Sequence, residues 1–147
     1  MRLILQRVSQ ASVAVDGAVV GEIAKGWLAL VGIGNQDSSK DAAYLADKTL
    51  GLRAFPDQNG KMNLSLAEAD GAVLAVSQFT LYADCRKGRR PGFSDAAAPE
   101  IANELYERYV QLLRDAGAQV ATGKFQAHMQ VSLVNDGPVT FLLDSKQ

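Results

Sequence analysis

A single cysteine, Cys85, and a single histidine, His128, stand in a chain of 147 residues. One cysteine excludes an internal disulfide and suits a reducing compartment. One histidine excludes a multi-histidine metal site, and with one cysteine beside it no zinc-type ligand set is visible. Neither a metal nor a cofactor is expected. No apolar run is long enough to span a bilayer. The first residues, Met1 to Val8, hold too short an apolar stretch between Arg2 and Arg7 for a signal peptide. Internal repeats and low-complexity tracts are missing as well. A net charge of −1 rules out a globally basic protein, so any contact with nucleic acid must come from a local patch. The expectation is a soluble, cytoplasmic protein with no membrane association.

What is present is enough apolar residue, 48% of the chain, to bury a core without staples, and a length that suits one domain over 1–147. Arg2 to Val15 alternates as one long strand, with a bend or bulge open at Ser9–Ala11. Asp16-Gly17 is a two-residue hairpin signal and Ala18 to Ile23 the returning strand. Trp27 to Ile33 is wholly apolar and reads as a central strand. Asp37-Ser-Ser39 offers a helix N-cap, and Ala42, Leu45, Ala46 and Leu50 form a helical stripe that stops at Gly51. Short strands are expected at Leu52–Phe55 and Met62–Leu66. Pro99 opens a second helix with its stripe on Ile101, Leu105, Tyr109, Leu112, Leu113 and Ala116, and Gly117 ends it. Gln119–Thr122, His128–Val134 and Phe141–Leu143 complete the strands, the last following a turn at Gly137-Pro138. The fold class is α+β: a mostly antiparallel, barrel-like β-sheet with two helices packed outside.

One stretch organises this pattern, Ala72 to Leu81, AVLAVSQFTL. It opens as a buried strand, expected to run to Leu81, and turns polar at Ser77, Gln78 and Thr80. Two readings are open: polar side chains capping a neighbouring turn, or hydroxyls, an amide and backbone N–H groups arranged to hold an ester or a developing oxyanion. Directly after it comes a loop rich in glycine and proline, Tyr82 to Ala98, with Arg86, Lys87, Arg89 and Arg90 in five positions. That run is either a solvated loop or a phosphate clamp beside the site.

Ser77-Gln-Phe-Thr-Leu81, taken with Asn135-Asp-Gly-Pro-Val-Thr140, resembles the D-aminoacyl-tRNA deacylases, also called D-tyrosyl-tRNA deacylases. The likeness extends to Gln6-Arg-Val8, Lys87-Gly-Arg-Arg-Pro91 and Met129-Gln-Val-Ser-Leu133, and so to essentially the whole chain. It implies a homodimer that hydrolyses the ester joining a D-amino acid to the terminal ribose of tRNA. It implies that Ser77, Gln78, Phe79 and Thr80 line the pocket for the aminoacyl group and terminal adenosine. Gly137 and Pro138 would act in the partner's site as the chirality filter, with their peptide bond cis, and Arg7 would hold their carbonyls. Without the resemblance, Gly137-Pro138 reads as an ordinary trans turn, since only about 5–6% of X–Pro bonds are cis.

Such a filter rejects the L enantiomer by clash and has no side chain to reject in glycine, so glycyl-tRNA is expected to pass. The resemblance favours a route in which the 2′-OH of the terminal adenosine activates water. Thr80 and Gln78 then position the substrate, and backbone N–H groups near Phe79 and Thr80 receive the oxyanion. A rival has Thr80 as covalent nucleophile with His128 as its base. Phe79 is also open to a role in core packing, and Met129 to either core packing or contact with adenine. Two rivals to the hydrolase stand beside it: a tRNA 3′-end binding module without turnover, and a structural β-rich dimer in which both motifs are turns.

Overall fold

The computed structural model describes residues 1–147. Its sheet grows from one long strand, β1 (Arg2–Val15). Asp16 and Gly17, both at positive φ, turn the chain into β2 (Ala18–Ile23), and β3 (Gly26–Gly32) continues the return along the same edge of β1. The opposite edge of β1 carries β8 (Gln130–Asp144), antiparallel over nearly its whole length. Beyond β3 the ladder continues in parallel through β6 (Ala72–Ser77) and β7 (Gln119–Thr122). The sheet is therefore mixed. The two parallel steps each need a crossover, and the two helices lie within these connections: α1 (Ser39–Gly51) between β3 and β6, α2 (Pro99–Asp115) between β6 and β7. The sheet curls until β2 meets β7: a Cβ placed on Gly21 would lie 2.5 Å from the Thr122 carbonyl oxygen. This nearly closes a barrel. A small side hairpin pairs β4 (Phe55–Pro56) with β5 (Met62–Leu64).

Each face of the sheet has its own core. Trp27, Phe55, Leu3, Leu5, Leu45, Tyr109 and Leu113 fill the space beneath the helices. Val8, Ala11, Val13, Leu28, Leu74 and Val76 pack on the other face. On α2 the buried side is Leu105, Tyr106, Tyr109, Val110 and Leu113, each contributing about 1.5–3 kcal/mol. Tyr106 donates its hydroxyl to the Ala75 carbonyl at 2.7 Å, which registers the helix against β6.

Four expectations need correction. The strand expected at Leu52–Phe55 is confined to Phe55–Pro56. Two residues of the expected apolar stripe do not join it: Ile101 is 52% exposed, and Ala116, at the C-cap, is exposed as well. The strand expected to run to Leu81 ends at Ser77, and a 3₁₀ turn takes over at Phe79–Tyr82. Finally, Gly137-Pro138 is not a turn between two strands but lies inside β8. Asn135 pairs with Val8 and Thr140 with Gln6, so the four residues 136–139 stand against Arg7 alone as a wide bulge.

Asp41 ties the start of α1 to the end of β8. Its Oδ2 accepts the Ser38 N–H at 2.8 Å, closing a capping box, and its Oδ1 accepts the Ser145 hydroxyl at 2.6 Å and Lys146 Nζ at 2.9 Å. Burial pushes the carboxyl up, but the bonds from Ser145, Lys146 and Ser38 outweigh it and hold the group below the usual carboxylate range. The resulting stabilisation is complete above about pH 4, the unfolded value, and is lost as the pH falls toward the folded value. Asp41→Asn is expected to cost about 2 kcal/mol, or roughly 4–8 °C in Tm. Thermal melts from pH 7 to pH 3 should show the gap to the parent protein closing as the acid limit is approached.

Candidate active site

The site begins where β6 stops. Gln78, at φ −144 and ψ 80, still donates its N–H to the Val31 carbonyl at 2.8 Å and so completes the parallel ladder. The chain then folds into the 3₁₀ turn, with Leu81 N–H on the Gln78 carbonyl (3.2 Å) and Ala83 N–H on the Thr80 carbonyl (3.1 Å). The turn fits because the end of β3 is bare. A Cβ on Gly32 would lie 2.8 Å from the Leu81 Cβ, and one on Gly34 2.6 Å from the Tyr82 ring. The first two N–H groups of the turn, those of Phe79 and Thr80, have no acceptor within the chain. They are the pair of donors that a carbonyl oxygen turning into an oxyanion requires.

Around them, Ser77 and Gln78 are half-buried, while Phe79 and Thr80 are exposed. The Gln78 amide donates to the Thr80 hydroxyl. Thr80 has no basic partner, and His128 is exposed and forms no hydrogen bond, so nothing in the chain activates Thr80 as a nucleophile. Phe79 is 58% exposed. The core-packing alternative fails for it, because the switch from strand to 3₁₀ turn rotates its ring out of the sheet. Its ring meets Phe93 at 5.0 Å between centroids, tilted by 58°. Of the two readings open for Met129, packing is supported: its sulfur lies over Gly123 and its side chain against the second core.

The contact between Phe79 and Phe93 places the basic loop at the same rim. Asp84 and Gly92 bridge its neck, at 2.7 and 2.9 Å. Its far end is stitched to the end of β3 by Asn35 N–H on the Asp95 carbonyl (2.9 Å) and Ala97 N–H on the Ile33 carbonyl (3.0 Å). Arg86 grips Asp84 with two bonds of 2.8 Å and holds that carboxyl well below its ordinary range. Lys87, Arg89 and Arg90 are exposed and without ion pairs. The loop therefore offers three uncompensated cations rather than four.

The Gly137–Pro138 peptide bond is cis. Both residues are exposed, at the crest of the β8 bulge. Arg7, whose side chain is only 11% exposed, donates Nε to the Asp136 carbonyl at 2.9 Å and Nη1 to the Ala54 carbonyl at 2.6 Å. It therefore fastens the residue before the Gly-Pro pair. Asn135, which carried no role in the sequence, spans the neck of the bulge, donating to the Arg7 and Val139 carbonyls at 2.9 and 3.0 Å. An asparagine opening a Gly-Pro segment was the available signal for it.

One chain does not bring the two motifs together. Ser77 aligns through Val31 and Leu3 with Leu143, whereas the bulge stands opposite Arg7. That puts them three strand spacings apart across the sheet and four residues along it, about 14 Å by about 13 Å.

With this geometry in place, the family model for D-Tyr-tRNA(Tyr) deacylase matches residues 4–144. The chain belongs to that family. A D-aminoacyl-tRNA deacylase of Anaeromyxobacter dehalogenans is 60% identical over 147 residues, all of this chain and 99% of that protein. Another, from Fervidobacterium nodosum, is 56% identical over the same length, again covering 99% of the relative. A solved structure described as c-Myc DNA Unwinding Element Binding Protein superposes with a TM-score of 0.93 at 38% identity, covering 98% of each chain. In this member of the deacylase family, several residues that build the turn escaped the sequence reading. Gly32 and Gly34 form its floor, while Arg2, Asp37 and Tyr82 hold its far end.

Proposed function

We propose that the chain, acting as one domain over 1–147, hydrolyses the ester bond of D-aminoacyl-tRNA to release the D-amino acid and tRNA. The observation that carries this reading is the pair of free N–H groups at Phe79 and Thr80, set beside three free cations on the rim. The carbonyl of the ester sits on those two donors, and the Gln78–Thr80 pair orients the acyl group. The terminal 2′-OH orders the attacking water, the water oxygen bonds to the acyl carbon, the ester C–O bond breaks, and one water proton ends on the departing ribose oxygen. No metal or cofactor has a part. The protein works in the cytoplasm, where its substrate is made.

The working unit is a homodimer, which accounts for the separation of the motifs. On the face away from the helices Leu142, Ile4 and Leu30 form an apolar row, aligned by register and ending at the buried Val76. Leu142 at its end is 66% exposed. A two-fold contact there covers the row and carries the partner's bulge toward this chain's turn. The carbonyls around Gly137 and Pro138 then face the amino group and Cα hydrogen of the bound D residue. An L side chain would strike them, and glycyl-tRNA would pass.

The test is deacylation of paired D-Tyr-tRNA and L-Tyr-tRNA by purified protein with chelator present. Loss of the D ester alone is the expected result. Equal loss of both removes the filter from the reading, and RNA binding with no loss of either replaces the hydrolase by a binding module. For the basic loop, replacing Lys87, Arg89 and Arg90 together by alanine should lower the slope of log affinity for tRNA against log salt by about 3, one per phosphate contact. Arg86→Ala should change it less, since Arg86 is engaged by Asp84 and is not one of the free cations.

A further inference from the structure

A four-residue 3₁₀ turn is held by few and poorly aligned bonds of its own, so its orientation must be imposed from outside. The end opposite Phe79 is gripped by a cluster that the reaction does not use. Arg2 Nη1 donates to the Leu81 carbonyl at 3.0 Å. The same guanidinium lies 4.6 Å from the centroid of the Tyr82 ring. The Tyr82 hydroxyl donates to Asp37 Oδ2 at 3.2 Å. Beneath the ring, a Cβ on Gly34 would come within 2.6–3.0 Å of two ring atoms and the hydroxyl oxygen.

Each gripping group is itself immobilised. Arg2 Nε is paired with Asp144 at 2.9 Å. The Asp37 side chain is 2% exposed; it accepts the Gly34 N–H at 2.6 Å and is paired with the Met1 ammonium at 2.5 Å. The arrangement is thus a rigid chain of contacts from both ends of the polypeptide to the last residue of the turn. Tyr82 is three residues from Phe79 and two from Thr80, within the same single turn.

We propose that Arg2 and Tyr82, anchored by Asp144 and Asp37, are positioning residues that fix the Phe79–Tyr82 turn so that its two free N–H groups converge on the reacting carbonyl; this rests on the site proposed above. Neither residue meets the substrate. Their loss lets the turn pivot, and displacements of about 1 Å at a reacting centre cost on the order of 100-fold in rate.

The experiment is steady-state deacylation of D-Tyr-tRNA by the full chain, with melting temperatures, for Tyr82→Phe, Tyr82→Ala, Arg2→Ala and Val110→Ala. Tyr82→Phe keeps the ring and the fold while removing the bond to Asp37. Val110→Ala opens the core under α2, away from the turn, and controls for stability. The expected result is kcat lower by about ten-fold for Tyr82→Phe and Arg2→Ala and by about 100-fold for Tyr82→Ala, with KM within about two-fold of the parent. Val110→Ala melts earlier but keeps the parent kcat. Parent kcat in Tyr82→Phe and Arg2→Ala, loss confined to KM, or a kcat that tracks melting temperature across all four variants would each overturn the proposal. Phe79→Pro, which acts on the N–H itself, separates the two ideas. If it is fully active, the site reading falls; if it is inactive while the Tyr82 and Arg2 variants behave as the parent, only the positioning role falls.

Discussion

Replacing Gly137 by alanine is expected to lower kcat/KM for D-Tyr-tRNA by at least about 100-fold while leaving a folded protein. A Cβ built on Gly137 lies 2.0 Å from the Val139 nitrogen, 3.2 Å from the Val139 Cα and 3.0 Å from Asn135 Oδ1. Two of these are backbone atoms and the third belongs to the amide that closes the bulge, so none can step aside cheaply. The crest of the bulge must move, and with it the carbonyls proposed to read the substrate's chirality. The ladder on either side, Gln6 with Thr140 and Val8 with Asn135, is untouched. Strain in an exposed bulge should therefore cost about 1–3 kcal/mol of stability, well short of unfolding.

A mixed dimer makes the result decisive. One subunit carries Gly137→Ala and the other Phe79→Pro. If each site combines the turn of one subunit with the bulge of its partner, one of the two sites in that dimer is wholly unaltered, and about half the parent activity returns. If each site lies within one chain, both sites carry a defect and no activity returns. Sedimentation or light scattering on the same sample confirms that dimers are present.

Much of the fold was legible because it is written in local pattern. The alternation of β1, the Asp16-Gly17 hairpin and the Gly117 stop after α2 are signals that span a few residues each. The parallel pairing of β3, β6 and β7 was not legible. Wholly apolar runs such as Trp27–Val31 and Val73–Val76 are what strands buried on both faces look like, but a run does not name its neighbour. From sequence Gly137-Pro138 reads as a turn because a Gly-Pro pair usually is one; only the register with β1 reveals a bulge inside a continuous strand. At the site, the motif residues could be found by resemblance. The seat beneath them could not, since Arg2 reaches Leu81 across 79 positions and Tyr82 reaches Asp37 across 45. The exposure of Phe79 likewise follows from a change of backbone conformation at Gln78 that an apolar-polar alternation does not announce.

The donor role of the turn can be isolated by comparing two substitutions at one position. Phe79→Ala removes the ring and its contact with Phe93 but keeps the N–H. Phe79→Pro removes the ring and the N–H together. Proline is otherwise compatible here: position 79 is the first residue of the 3₁₀ turn, where proline's fixed φ is accommodated. Its N–H has no partner inside the protein to lose. Gln78, at φ −144 and ψ 80, already lies outside the α region that a following proline disfavours. The two variants should therefore melt within a few degrees of each other. Removing one oxyanion donor costs about 100- to 1,000-fold in kcat, so Phe79→Pro should fall below Phe79→Ala by that factor, with KM little changed. The drop from the parent to Phe79→Ala then reports what the exposed ring contributes to holding the tRNA end, and belongs mainly in KM. If the alanine and proline variants turn over at the same rate, the Phe79 N–H does not bind the oxyanion. Stabilisation would then have to come from the Thr80 N–H, the Gln78 amide or the Thr80 hydroxyl, and the free N–H of Phe79 would be a bystander to the chemistry.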